Sequence, residues 1–228
     1  MWFLDTGLIL FVIPAFIFVM YAQNKVKSTY NKYVQVASKR GYTGAQVAKE
    51  ILADAGLEDV RLEPAQQELG DHYDPRKKVV RLSPQVYNGN SIAALGIAAH
   101  EVGHAIQHAH GYFALSIRNM IFPAASFGSR LGVPLFIVGF LFAEGMGILM
   151  DVGLALFFFA VLFQLITLPV EFNASKRAVA ALEGQYFLAP EEIKPVKKVL
   201  NAAAMTYVAA LAMALAQLFR LLILRGRR

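Results

Sequence analysis

The chain has no cysteine among its 228 residues. Disulfides and thiolate metal sites are therefore excluded, and any bound metal must be held by nitrogen and oxygen. Charge is scarce as well: Asp, Glu, Lys and Arg make up 17% of the residues, against 57% hydrophobic. That is too apolar for an ordinary soluble domain and too interrupted by charge for a bundle buried wholly in lipid. Acids are scarcer than bases, 16 against 22, for a net charge of +6. The bases flank apolar segments or scatter along helical stretches, as membrane-flanking charge does, so nucleic acid is not an expected partner. Internal repeats, low-complexity tracts and long flexible linkers are missing too. A mostly α-helical integral membrane protein with one small α+β domain at the membrane surface is expected.

Residues 1–23 form the first segment, whose apolar run Thr6–Gln23 is about long enough to cross a bilayer at roughly 1.5 Å per residue. Asp5 is the only charge before it, while Lys25, Lys27, Lys32, Lys39 and Arg40 follow. The positive-inside rule then places Met1 outside and the following segment in the cytoplasm, with the first helix as an uncleaved anchor. Residues 24–120 are the polar α+β part. Thr43 and Gln46 form a capping box, and Val47, Ile51 and Leu52 a helical stripe that Gly56 ends. Short strand-like runs follow, with Asp74-Pro75 as a turn, and Ser91 caps a long helix running through "IAALGIAAHEVGHAIQHA". Residues 121–170 read as a membrane hairpin turning near Glu144–Gly147, with Arg130 inside its first arm if that arm begins near Ile121. Residues 171–201 are a basic, polar helical part. Residues 202–228 end the chain with an apolar, Ala-rich helix that is long enough to span.

Four of the five histidines lie within residues 98–110, "AAHEVGHAIQHAH". His100-Glu101-Val102-Gly103-His104 is an HExxH motif on a helix, which places the two imidazoles about 40° apart and one turn along, aimed at one ion. Glu101, offset by about a quarter turn, stands beside the ion and not on it. From there it can take a proton from a water activated by the metal and return it to a leaving amine. The neighbours are small and apolar, so histidines without a metal would be desolvated with no compensation.

A catalytic zinc needs a third protein ligand and one open position. His110 has the spacing of the HExxHxxGxxH pattern, but Gln107 stands where that pattern needs a helix-breaking glycine. His108 is one turn past His104 and rotated away from His100. Glu171, in "LPVEFNASKRAVAAL", suits best: it directly follows the hairpin, whose two spans return the chain to the same face, and Pro169 precedes it as if opening a new helix. Two histidines and a glutamate are the ligand set of thermolysin-like peptidases.

The blocks "DHYDPRKKVVRLS", "AAHEVGHAIQHA" and "LPVEFNASKRA" together resemble the YugP-type family of membrane zinc metallopeptidases, and more distantly HtpX and the CAAX prenyl proteases. The resemblance implies a gluzincin-like zinc peptidase domain with one Zn2+ per chain held by His100, His104 and Glu171, and Glu101 as general base and acid. In the wider group an E-x-x-A-D segment supplies the third ligand and a supporting acid; here Ser175 takes the place of that acid. The group's substrate-pairing edge strand corresponds by position to Lys77–Ser83. For the oxyanion, His72, Tyr73 and Asn173 are the candidates. The expected protein is a multi-pass zinc endopeptidase of a bacterial plasma membrane, acting at its cytoplasmic face on peptides or membrane-associated proteins. Two rivals are a zinc-stabilised scaffold that cleaves nothing and a transporter component, the latter suggested by Arg130, Asp151 and Gln164 in apolar segments.

Overall fold

A computed structural model describes residues 6–67 and 70–226; Met1 and Asp5, on which the expected orientation partly rests, lie outside them. The elements in chain order are a π-helical turn Leu8–Val12 leading into α1 (Ile13–Tyr33), then α2 (Gly44–Asp54), β1 (Arg61–Pro64), β2 (His72–Asp74), β3 (Val79–Leu82) and α3 (Pro84–Tyr87), followed by α4 (Ile92–Ala109), α5 (Phe113–Leu141), α6 (Ala143–Gly184) and α7 (Pro190–Gly226). Four helical stretches, Leu8–Tyr33, Phe113–Leu141, Met146–Gly184 and Pro190–Gly226, are long and apolar enough to cross a membrane. The protein is thus mostly helical and membrane-type, with a small α+β part.

The chain divides into two compact units: residues 1–23, 116–169 and 205–228 in one, and 24–115 with 170–204 in the other. In the first, Phe136, Met150, Phe157, Val161, Leu211 and Leu221 form the core. Large apolar side chains such as Phe122, Phe127, Leu141, Ile148 and Phe158 face outward, each more than half exposed. In water such a surface would aggregate; against lipid it is matched to its solvent. Helices α5 and α6 approach through glycine: a Cβ at Gly128 would sit 2.0 Å from the Leu156 carbonyl oxygen, and one at Gly132 would sit 2.9 Å from Phe157 Cβ. This is the small-xxx-small packing by which helices associate where hydrophobic attraction is absent. Asp151 is held by a bidentate pair with Arg225, at 2.8 and 3.1 Å, which accounts for an acid in an otherwise apolar segment.

The hairpin breaks between Leu141 and Ala143, next to the turn expected near Glu144–Gly147. One expectation about α6 is corrected: no new helix opens at Glu171, because α6 runs unbroken through Pro169 to Gly184. A proline inside a helix removes one backbone hydrogen bond, a loss that long transmembrane helices tolerate.

The second unit has its core in Val47, Ile51, Val80, Leu82, Leu95, Ala98, Val102, Leu182 and Val196, from α2, β3, α4, α6 and α7. The capping box is present on α2: Gln46 N–H donates to Thr43 Oγ1, and Thr43 N–H to Gln46 Oε1. Ser91 Oγ caps α4 by accepting from Ala94 N–H at 3.1 Å. The sheet order is β1-β3-β2, with β1 parallel and β2 antiparallel to β3. This overturns the placement of an edge strand at Lys77–Ser83: Val79–Leu82 is central, bonded on both sides, and the outer strands are Arg61–Pro64 and His72–Asp74.

Candidate metal centre

Helix α4 carries the HExxH residues and α6 carries Glu171, and the two backbones approach closely at Gly103 and Ala174. Gly103 is buried, and a Cβ on it would lie 2.6 Å from the Ala174 carbonyl oxygen. Only glycine permits that approach. It sets the His100 and His104 side of α4 against the Glu171 and Ser175 side of α6.

At this crossing Glu171 Oε2 lies 3.3 Å from His100 Nε2 and 3.6 Å from His104 Nε2. One donor atom from each of the three side chains falls within 4.8 Å of the others, the one such cluster of three among the described residues. The corners of a tetrahedron with metal–ligand bonds of about 2.05 Å are about 3.3 Å apart, so this nitrogen and oxygen donor set fits zinc. The Glu171 side chain is 3% exposed, whereas those of His100 and His104 are 15% and 13% exposed, which leaves the cluster closed on one side and reachable on the other.

The second nitrogen of each ring is also occupied. His100 Nδ1 lies 3.1 Å from Ser175 Oγ, and His104 Nδ1 lies 3.0 Å from Gln107 Oε1. Each imidazole is thereby oriented by a neutral oxygen, with Nε2 left for a metal. Burial alone would lower the His104 pKa. The hydrogen bond to Glu171 and the carboxylates of Glu101 and Glu171 outweigh it, raising the value above that of an ordinary histidine. Glu101 itself is half-buried and, among the described residues, takes part in no ion pair or hydrogen bond through its carboxylate.

The other histidines lie off the cluster. Helix α4 ends in a Schellman turn, with Gly111 at φ 60° and Tyr112 N–H donating to Gln107 O, so His110 falls at the cap. There its Nδ1 accepts from Arg177 Nη1 at 3.3 Å. His108 Nδ1 is 2.9 Å from the Tyr73 hydroxyl. Burial first, then the Asp59 and Asp74 carboxylates, raise the Tyr73 pKa and keep that phenol protonated. Of the oxyanion candidates, Asn173 turns its Oδ1 to Gln107 and Arg177, and His72 is engaged by Gly70 O and Arg81. Gln107, Gly103 and Arg177 carry roles that sequence reading missed. The only sequence signal was a polar residue, Gln107, at a position one turn beyond His104 on the buried side of the helix.

No solved structure matches the chain. A curated protein described as "Putative membrane protease YugP", from Bacillus subtilis (strain 168), is 49% identical over 209 residues, which cover 91% of this chain and 92% of that protein. The family model described as "Putative neutral zinc metallopeptidase" matches residues 8–226, nearly the whole length, and the chain belongs to that family.

Proposed function

We propose that the protein is a multi-pass, zinc-dependent endopeptidase, with one zinc held by His100, His104 and Glu171 and with Glu101 as the catalytic base and acid. The observation that carries this reading is the convergence of two Nε2 atoms and one carboxylate oxygen at separations suited to a tetrahedral ion, beside a carboxylate with no hydrogen-bond or ion-pair partner among the described residues. When bound, zinc supplies a Lewis acid that lowers the pKa of water towards about 7 and polarises a peptide carbonyl. Glu101, adjacent to His100 but pointing to no ligand of its own, accepts a proton from the attacking water and passes it to the departing amine. Glu171 and the two imidazoles hold their places through the Gly103 crossing, and Ser175 and Gln107 keep the rings aimed. The nucleophile is water, so no acyl-enzyme forms.

The substrate is a peptide or membrane-associated protein, and the cytoplasmic face of a bacterial plasma membrane is the side that the charge flanking the first helix favours. An extended substrate pairs with His72–Asp74, the outer strand whose Tyr73 hydroxyl reaches His108 of the HExxH helix. Of the three residues that suggested a transporter, Asp151 is accounted for by its pair with Arg225.

The test is a pair of variants of the full chain in detergent, assayed for zinc content and for cleavage of labelled casein. Glu101→Gln should keep stoichiometric zinc and lose about 10²- to 10⁴-fold in rate, the usual contribution of a general base. Glu171→Ala should lose both zinc and cleavage. Normal cleavage by Glu101→Gln would overturn the mechanism, and full zinc in Glu171→Ala would overturn the ligand set.

A further inference from the structure

Gln107 is completely buried, at 0% exposure, on a helix whose neighbouring core positions are Val102, Ala105 and other small apolar groups. A primary amide in such a place must satisfy both its ends, because a buried end left bare carries its full desolvation penalty. It does so in one orientation only. Its Nε2 donates to the Val170 carbonyl oxygen at 2.7 Å and to Asn173 Oδ1 at 3.0 Å. A backbone carbonyl can only accept, so the amide end facing Val170 is the NH2 end. Asn173 is held in turn: Arg177 Nε donates to the same Oδ1 at 2.8 Å, and a guanidinium can only donate. Both acceptors are therefore defined by groups with no second role, and the Gln107 carbonyl is left facing His104 Nδ1 at 3.0 Å. An amide oxygen cannot donate, so Nδ1 must carry the proton and the lone pair of the neutral ring must be on Nε2.

We infer that Gln107 is a positioning residue that selects the metal-binding nitrogen of His104, with Val170, Asn173 and Arg177 fixing the amide so that it cannot present its NH2 end instead. The inference deepens the zinc-site reading and rests on it. His100 is oriented differently. Its partner, Ser175 Oγ, can donate or accept, and so it tolerates either tautomer. The selection is thus made at one ligand of the two, through a chain of hydrogen bonds from Arg177 on α6 to His104 on α4.

The experiment reads the proton directly, on full-length protein in detergent with ¹⁵N-labelled histidine, freed of metal at pH 9. Wild type should show His104 protonated on Nδ1, its signal identified by loss in His104→Gln. Gln107→Met, similar in volume but without the carbonyl, should shift His104 towards protonation on Nε2. It should also weaken zinc binding about 10- to 100-fold in chelator competition, the usual effect of losing such a partner. Gln107→Glu keeps an oxygen facing Nδ1 and, as a protonated acid whose hydroxyl donates to Val170 O, should retain the wild-type tautomer. If Gln107→Met does not fold, Gln107→Asn, too short to reach Nδ1, makes the same comparison. An unchanged tautomer in Gln107→Met or Gln107→Asn would overturn the inference, as would a changed tautomer with zinc affinity unchanged. If wild type takes up no zinc, the metal reading itself fails, while the tautomer comparison still decides whether Gln107 sets the ring.

Discussion

Gly103 meets the backbone of Ala174 so closely that a methyl group on it would stand 2.6 Å from the Ala174 carbonyl oxygen. That contact lies at the second variable position of HExxH, and it is what lets a carboxylate on one helix come within ligand distance of imidazoles on another. Gly103→Ala should therefore force α4 from α6 by a few tenths of an ångström or more, at about 1–3 kcal/mol for overpacking. Three ligands split between two helices do not tolerate such a shift. We expect helix content by circular dichroism to be retained while zinc content and affinity fall at least about tenfold. Full zinc uptake by Gly103→Ala would show that the crossing does not govern the site.

How much of this was legible beforehand follows from how local each signal is. HExxH places both imidazoles by helical periodicity alone, and the Ser91 and Thr43 caps announce their helices within four residues. Glu171 was reached by a topological step, since two spans return the chain to one face. The role of Gly103 was not legible, because a glycine in a motif says nothing until the opposing backbone of Ala174 is known. Nor was that of Gln107, which read only as a residue continuing the helix; its three partners come from its own turn and from a helix more than sixty residues on. The strand Val79–Leu82 was placed at the edge because strand order is a long-range property that short alternating runs do not encode. Proline at 169 suggested a helix start, but in a long apolar helix the loss of one backbone bond does not outweigh continuation.

The neutral partner of His100 leads to a graded prediction. Ser175 Oγ at 3.1 Å from Nδ1 orients the ring without adding charge. Ser175→Ala should remove that orientation and weaken zinc binding about tenfold, the lower end of the effect of losing such partners. Ser175→Asp should make the ring more basic and tighten binding relative to wild type. Chelator competition at fixed pH measures both. Affinities that are equal in all three proteins would mean that His100 is held by its helix alone.

The membrane hairpin makes its own demand. Gly128 and Gly132 bring α5 against Leu156 and Phe157 of α6 with no space for a side chain. Gly128→Leu should therefore lower the thermal midpoint in detergent, by the equivalent of about 1–3 kcal/mol or more. Ser129, exposed on the same helix, should accept leucine with little change. Thermal unfolding followed by circular dichroism compares them, and equal midpoints for the two variants would rule out glycine-mediated packing.

Zinc binding should depend on pH in a direction set by His104. In the metal-free protein burial disfavours its charged form, yet the Glu171 hydrogen bond and the Glu101 and Glu171 carboxylates prevail and raise its pKa above the ordinary value. Zinc takes only the neutral ring, so below that raised pKa it must displace a proton. Affinity should be nearly level at high pH and fall by about tenfold per pH unit for each proton displaced. Because the pKa is raised, the fall should begin above pH ~6.5, the value for an unperturbed histidine. Glu101→Gln removes one of the carboxylates responsible while sparing the ligands, and should move the onset to lower pH. Competition titrations from pH 5.5 to 9 test both statements. If wild-type affinity stays level down to pH 6.5, or if Glu101→Gln leaves the onset in place, then Glu101 does not act on His104 in the way its charge and position require.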